Sequence, residues 1–202
     1  MLTDRKEHVM NISEYSGFER KLAYHTAPTL LGIKCGGLIS LEKSERNLDE
    51  NIAAFNRRAA ARGLEIKKLC GCKNRVLMLI YSEKMLAEQL SKAEYRAILE
   101  RYGYGDCMTV DSAIDRLAKR IECSDSTEQF PHEIGVFLGY PAEDVVGFIE
   151  NEGLNFTLCG YWKVYGDTEK AKRTFGNYDK CRKFLCNKLN QGCDIYQALR
   201  IS

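Results

Sequence analysis

Residues Val76 to Tyr81 read VLMLIY, the longest unbroken apolar run in the chain, and this run narrows the folds open to it. Six residues fall far short of the roughly 20 that a membrane-spanning helix needs. The run is also too apolar on both faces for a strand that keeps one side in water. A central strand, covered above and below, is the expectation. Just ahead of it LEIKKLC alternates, and Gly-Cys-Lys-Asn between the two has the composition of a tight connection, so residues 64–81 read as a β-hairpin.

Helical and extended patterns mix around that hairpin. A first helix is expected from about Glu14 to Tyr24, ending ahead of Pro28, because the residue before a proline disfavours helical geometry. In LLGIKCGGLISL, residues Leu31, Ile33, Cys35, Ile39 and Leu41 share one face at period two, so Cys35 points inward, and Gly36 and Gly37 mark a bulge or a close approach. Asn47 or Asp49 opens an alanine-rich helix that Gly63 closes. SEKMLAEQL, KAEYRAILERYG and VDSAIDRLAKRIE are helical. NFTLCGYWKVYGD reads as one strand, with Phe156, Leu158, Trp162 and Val164 on one side and Thr157, Cys159, Tyr161, Lys163 and Tyr165 on the other. Asp167 then caps a long helix with an apolar stripe through Ala171, Phe175, Tyr178, Leu185 and Leu189, and Gly192 ends it.

This order lacks the strict alternation of a doubly wound sheet. The fold class expected is α+β, a small, mostly antiparallel sheet packed with several helices. A length of 202 residues suits one core better than two, so a single domain over 1–202 is expected.

The segment FPHEIGVFLGYPAEDVVGFIENEG matches itself at an offset of ten: Phe130-Pro131-His132-Glu133 against Tyr140-Pro141-Ala142-Glu143. Proline fits the first helical position and acids fit the first turn, so two short helices meet at an elbow after Gly139. Position alone accounts for Glu133. His132, in a first turn, is held toward its neutral form, in which it can ligate a metal or accept a proton. HEIGV lacks the second histidine of a zinc-protease motif.

Nine cysteines without a CxxC pair, in a chain that opens with no export signal, read as reduced thiols in a cytoplasmic protein. Cys70 and Cys72, at the hairpin tip, are candidates to hold a soft metal, with His132 as a further candidate ligand. Cys35 or Cys159 with His132 or His25 has the residue types of an acyl- or thiol-transfer pair. His132, Glu133, Tyr140, Tyr161 and Tyr165 are candidate ligand contacts, since the tyrosines, with Trp162, suit stacking on a flavin, a haem or a base. P-loop, GxGxxG and GxSxG signatures are absent from the sequence.

Charge is unevenly laid out. Residues 121–162 hold no Lys or Arg and eight acids, whereas eight basic residues face three acids from Lys163 to Lys188. Either the two regions are solvated or mutually close faces, or the basic helix over 168–190 is a docking surface for an acidic protein partner. Neither nucleic acid nor a membrane is an expected partner.

The segment quoted above, followed by CGYWKVYGDTEKAKRTFGNYDKCR and preceded by HTAPTLLGIKCGGLISL, resembles the bacterial proteins of anaerobes grouped as domain of unknown function 3793. The resemblance spans nearly the whole chain. It implies no assigned activity, cofactor or catalytic residue; the resemblance does imply a setting among flavodoxin and iron-handling genes, which would fit a redox or metal-related role. The functional expectation is a cytosolic accessory or binding protein of anaerobic metabolism, for a metal, a cofactor or a redox partner. The alternative is a cofactor-free Cys/His acyl- or thiol-transfer enzyme.

Overall fold

The computed structural model describes residues 17–71, 74–105, 109–124 and 130–201. The fold is α+β, and the sequence order builds it directly. Helix α1 (Phe18–Leu30) leads to β1 (Gly36–Glu42), α2 (Leu48–Ala59), β2 (Leu64–Cys70) and β3 (Arg75–Ser82). Helices α3 (Glu83–Ser91), α4 (Ala93–Glu100), α5 (Val110–Ser124), α6 (Ile134–Phe137) and α7 (Ala142–Glu150) follow. A small hairpin of β4 (Leu158–Cys159) and β5 (Lys163–Val164) precedes α8 (Thr168–Asn190) and α9 (Ile195–Ala198).

The antiparallel sheet runs β1-β3-β2, with VLMLIY at its centre, as its two apolar faces require. Alternate residues of β3 serve different cores. Met78 and Ile80 join Ile39, Leu41 and Ile66 against Leu22, Phe55, Leu185 and Leu199, from α1, α2, α8 and the end of α9. Leu79 and Tyr81 face the other way, onto Leu86, Ile98, Ile114, Leu117 and Phe137 from α3 to α6. A bulge between Lys68 and Cys70 sets Cys70 opposite Leu77 and turns it into this second core.

Three expectations need correction. Helix α1 does not stop before Pro28: Thr26 leaves helical geometry (φ −128°, ψ 15°), and a second segment restarts across Pro28, whose missing N–H needs no partner in its first turn. Thr26 satisfies itself by donating Oγ1–H to the Leu22 carbonyl, 2.7 Å away. The strand expected from Leu31 begins only at Gly36. The amides of Ile33 and Lys34 both turn back to the Pro28 carbonyl, which leaves Ile33 53% exposed and sends Cys35 into the core opposite to that of Ile39. Residues 156–165 are not one strand but a two-rung hairpin turning at Gly160 and Tyr161, with Leu158 opposite Val164 and Cys159 opposite Lys163. The part of the first helix expected over residues 14–16 lies outside the described residues.

Gly36 and Gly37 mark a close approach, as their pairing in the sequence suggests. Gly36 lies under the Phe137 carbonyl of α6, and Gly37 under Thr26 and Thr29 of α1. One strand thus meets helices on both sides at van der Waals distance.

Candidate functional site

The proline-marked segment folds as the elbow its repeat predicts. α6 ends at Phe137 and is capped by Leu138, Gly139 turns the chain at φ +65°, and Pro141 precedes α7. The elbow holds the β4–β5 hairpin through one carboxylate. Asp144, 4% exposed, accepts from the Trp162 indole N–H at 2.6 Å and from the amides of Tyr165 and Gly166 at 2.7 and 2.8 Å. Two residues of α8 complete the seat: Phe175 meets Trp162 edge-on at 4.6 Å, and Asp179 accepts from the Tyr161 hydroxyl at 2.8 Å.

Asp144→Asn replaces an acceptor by a donor toward at least one of these three N–H groups. The expected result is a loss of about 2 kcal/mol in unfolding free energy, in the range of hydrogen bonds to charged groups. A red-shifted Trp162 emission should accompany it, as the indole leaves its buried seat. Unchanged emission would mean that Asp144 does not hold the hairpin.

Between elbow and hairpin lies a cavity of about 310 Å³. Its walls are largely aromatic. Phe130, Tyr140, Phe148, Tyr161 and Trp162 line it, with His132, Cys159 and Lys163 supplying polar groups. Tyr140 stacks on Trp162 with ring centres 5.1 Å apart and planes 28° apart, and its hydroxyl donates to the Tyr161 carbonyl at 3.2 Å. Burial pushes the Tyr140 phenol up to about 12, so it stays a donor at neutral pH. His132 is exposed and meets the edge of Phe148 at 5.0 Å. Cys159 is exposed.

Of the residues singled out in the sequence, His132, Tyr140, Cys159 and Tyr161 therefore share one cavity. Trp162 lines it too, whereas Cys35, Cys70, Glu133, Tyr165 and His25 do not. Cys35 is buried beneath Gly139, its thiol 3.5 Å from the Phe137 carbonyl, and burial pushes it up to about 11, away from the thiolate a nucleophile needs. Tyr165 covers Gly147 with its ring. Cys70 is buried in the second core, Cys72 lies outside the described residues, and among the described residues no group of three or more His, Cys, Asp or Glu could hold a metal. His25, on α1, has its pKa lowered by burial first, then by Arg182 and Arg75.

Glu133 carries more than its helix-start position implies. It is fully buried, paired with the Arg120 guanidinium of α5, and accepts from the Tyr104 hydroxyl at 3.4 Å. This ion pair fastens the elbow to α5. Behind Tyr140, the Lys34 ammonium lies 5.0 Å from the Tyr140 ring centre and 5.6 Å from that of Tyr178, with no carboxylate in ion-pair reach among the described residues. Burial pulls this amine down to about 8.

Lys163 and Asp144 as site residues escaped the sequence reading, because both were absorbed into patterns, a strand and a helix start. Gly160, inside an otherwise alternating stretch, was the available signal for a turn there.

A family model described as "Protein of unknown function (DUF3793)" matches residues 22–199. No curated protein and no solved structure matches the chain.

Proposed function

The chain belongs to the DUF3793 family of proteins of unknown function, and we propose from the geometry of its own residues that it binds a small, flat, largely apolar molecule in the aromatic cavity. The observation that carries this reading is the convergence of five aromatic side chains from three separate segments on one concavity, with few polar groups among them. A volume of about 310 Å³ is at the low end for small-molecule sites, which suits one or two rings better than a haem or a dinucleotide.

Such a protein fits the role of a cytosolic accessory factor in anaerobic bacterial metabolism, holding a cofactor fragment or metabolite for a redox partner. Helix α8 offers an acidic partner a place to dock: the exposed Lys180 and Lys183 flank Phe184, itself 47% exposed.

Trp162 is the chain's single tryptophan, so occupancy of the cavity has its own reporter. A screen of one- and two-ring compounds by ligand-observed NMR should give binders that quench Trp162. Phe148→Ala should weaken them at least tenfold. A screen without a Trp162-quenching binder rejects the reading.

The second reading is the Cys/His enzyme, favoured by one observation: Cys159 and His132 line the same cavity. As the base of a thiol nucleophile, His132 would set the rate of Cys159 alkylation. Peptide mapping after brief iodoacetamide treatment then shows Cys159 labelled ahead of Cys181 and Cys193, and slowed at least tenfold by His132→Ala. Equal labelling in both proteins leaves the binding reading standing alone.

A further inference from the structure

Resting on the binding reading above, we infer that the occupant of the cavity carries a single negative charge, as an aromatic or similarly flat carboxylate, and that Lys163 receives it.

The charges that line the cavity point to such an occupant. Among the described lining residues, Asp144 is the one carboxylate and Lys163 the one ammonium or guanidinium group. They do not neutralise each other. Both oxygens of Asp144 are taken by three N–H groups of the hairpin, which use its charge to hold protein to protein. Among the described residues Lys163 has a single hydrogen-bond acceptor, the Gly153 carbonyl at 2.7 Å, and no carboxylate lies within ion-pair distance. An ammonium group has three donors, so Lys163, a residue of the cavity wall, keeps donor capacity beyond the Gly153 carbonyl.

What surrounds Lys163 also fixes where it points. Its nitrogen lies 5.6 Å from the ring centre of Phe148 and 5.0 Å from that of Phe156, and the backbone pairing of Lys163 with Cys159 sets its stem. Aromatic faces hold a cation in place without cancelling its charge. The sequence makes the position unusual as well: Lys163 is the first Lys or Arg after Arg120, at the end of a stretch with eight acids. A cationic or neutral occupant would leave this ammonium partly desolvated and uncompensated, whereas a carboxylate pairs with it in surroundings of reduced dielectric.

The test compares three probes of one shape and different charge by ligand-observed ¹⁹F NMR: 4-fluorobenzoate, 4-fluorobenzyl alcohol and 4-fluorobenzylamine. The benzoate should bind at least tenfold more tightly than the other two. Lys163→Met should remove that preference while the alcohol still quenches Trp162, which reports an intact cavity, and Lys163→Arg should retain it. If the amine or the alcohol binds as well as the benzoate, or if Lys163→Met leaves the preference intact, the inference is overturned while the cavity remains a binding site. If none of the probes binds and none quenches Trp162, the binding reading falls with it.

Discussion

Arg120→Met is expected to lower the unfolding free energy by about 3 kcal/mol, measured by urea denaturation. The reason is the burial of its partner: Glu133 has no exposed surface, and among the described residues its remaining bond is from the Tyr104 hydroxyl at 3.4 Å. Removing one member of a buried ion pair costs about 3–5 kcal/mol, since the other is left without compensation. The lower end applies because Arg120 itself is one-third exposed, so water can enter where the guanidinium was. The double variant Arg120→Met/Glu133→Leu separates this from lost packing. With no charge stranded, it should be more stable than Arg120→Met alone, by at least 1 kcal/mol. A double variant that is less stable than the single one would show that the pair contributes through shape and not through charge.

Gly36→Ala should be as damaging for a different reason. A methyl group at Gly36 would overlap the Phe137 carbonyl oxygen, which belongs to the α6 backbone and cannot swing aside like a side chain. Either β1 must move from β3 or α6 from the sheet, and a loss of about 3 kcal/mol or more is expected. Gly176→Ala supplies the contrast. It lies inside α8 with open space around its Cα, so alanine there should add roughly 0.5–1 kcal/mol by stiffening the unfolded chain. If Gly36→Ala keeps the wild-type urea midpoint, α6 is not seated on β1.

The elements that a reader of the sequence can place are those decided by local chemistry. VLMLIY is central because both faces are apolar, Asp167 caps α8 by accepting from the Lys170 amide at 2.9 Å, and Pro141 and Gly139 frame the elbow. Two of the three corrected expectations arise where period two continues across a turn. Phe156 and Leu158 keep step with Trp162 and Val164 whether the chain runs straight or folds back, because the register Leu158 opposite Val164 preserves the parity. Ile33 and Cys35 keep step with Ile39 in sequence spacing alone: the strand has not begun, and Cys35 enters the opposite core.

The cavity was legible only in pieces. His132, Tyr140, Cys159 and Tyr161 were each visible as chemistry-bearing residues, yet their meeting depends on Asp144 gripping the hairpin 18 to 22 residues away. Nothing local announces such a grip. The same holds for Glu133, whose partner lies 13 residues earlier on another helix.

The two faces of the sheet differ in when they can close. A ribosome releases the chain from its N-terminus, and domains begin to fold as they emerge. Every residue of the core against α3 to α6 lies between Cys35 and Ile149, so that side can be complete while the rest is still being translated. The core against α1 and α2 draws on Leu185, Leu189, Ile195 and Leu199. Until those are made, this core is closed by α1 and α2 alone and stays incomplete. During synthesis this is the surface a chaperone would meet, and substitutions in α8 and α9 should therefore show first as loss of soluble yield.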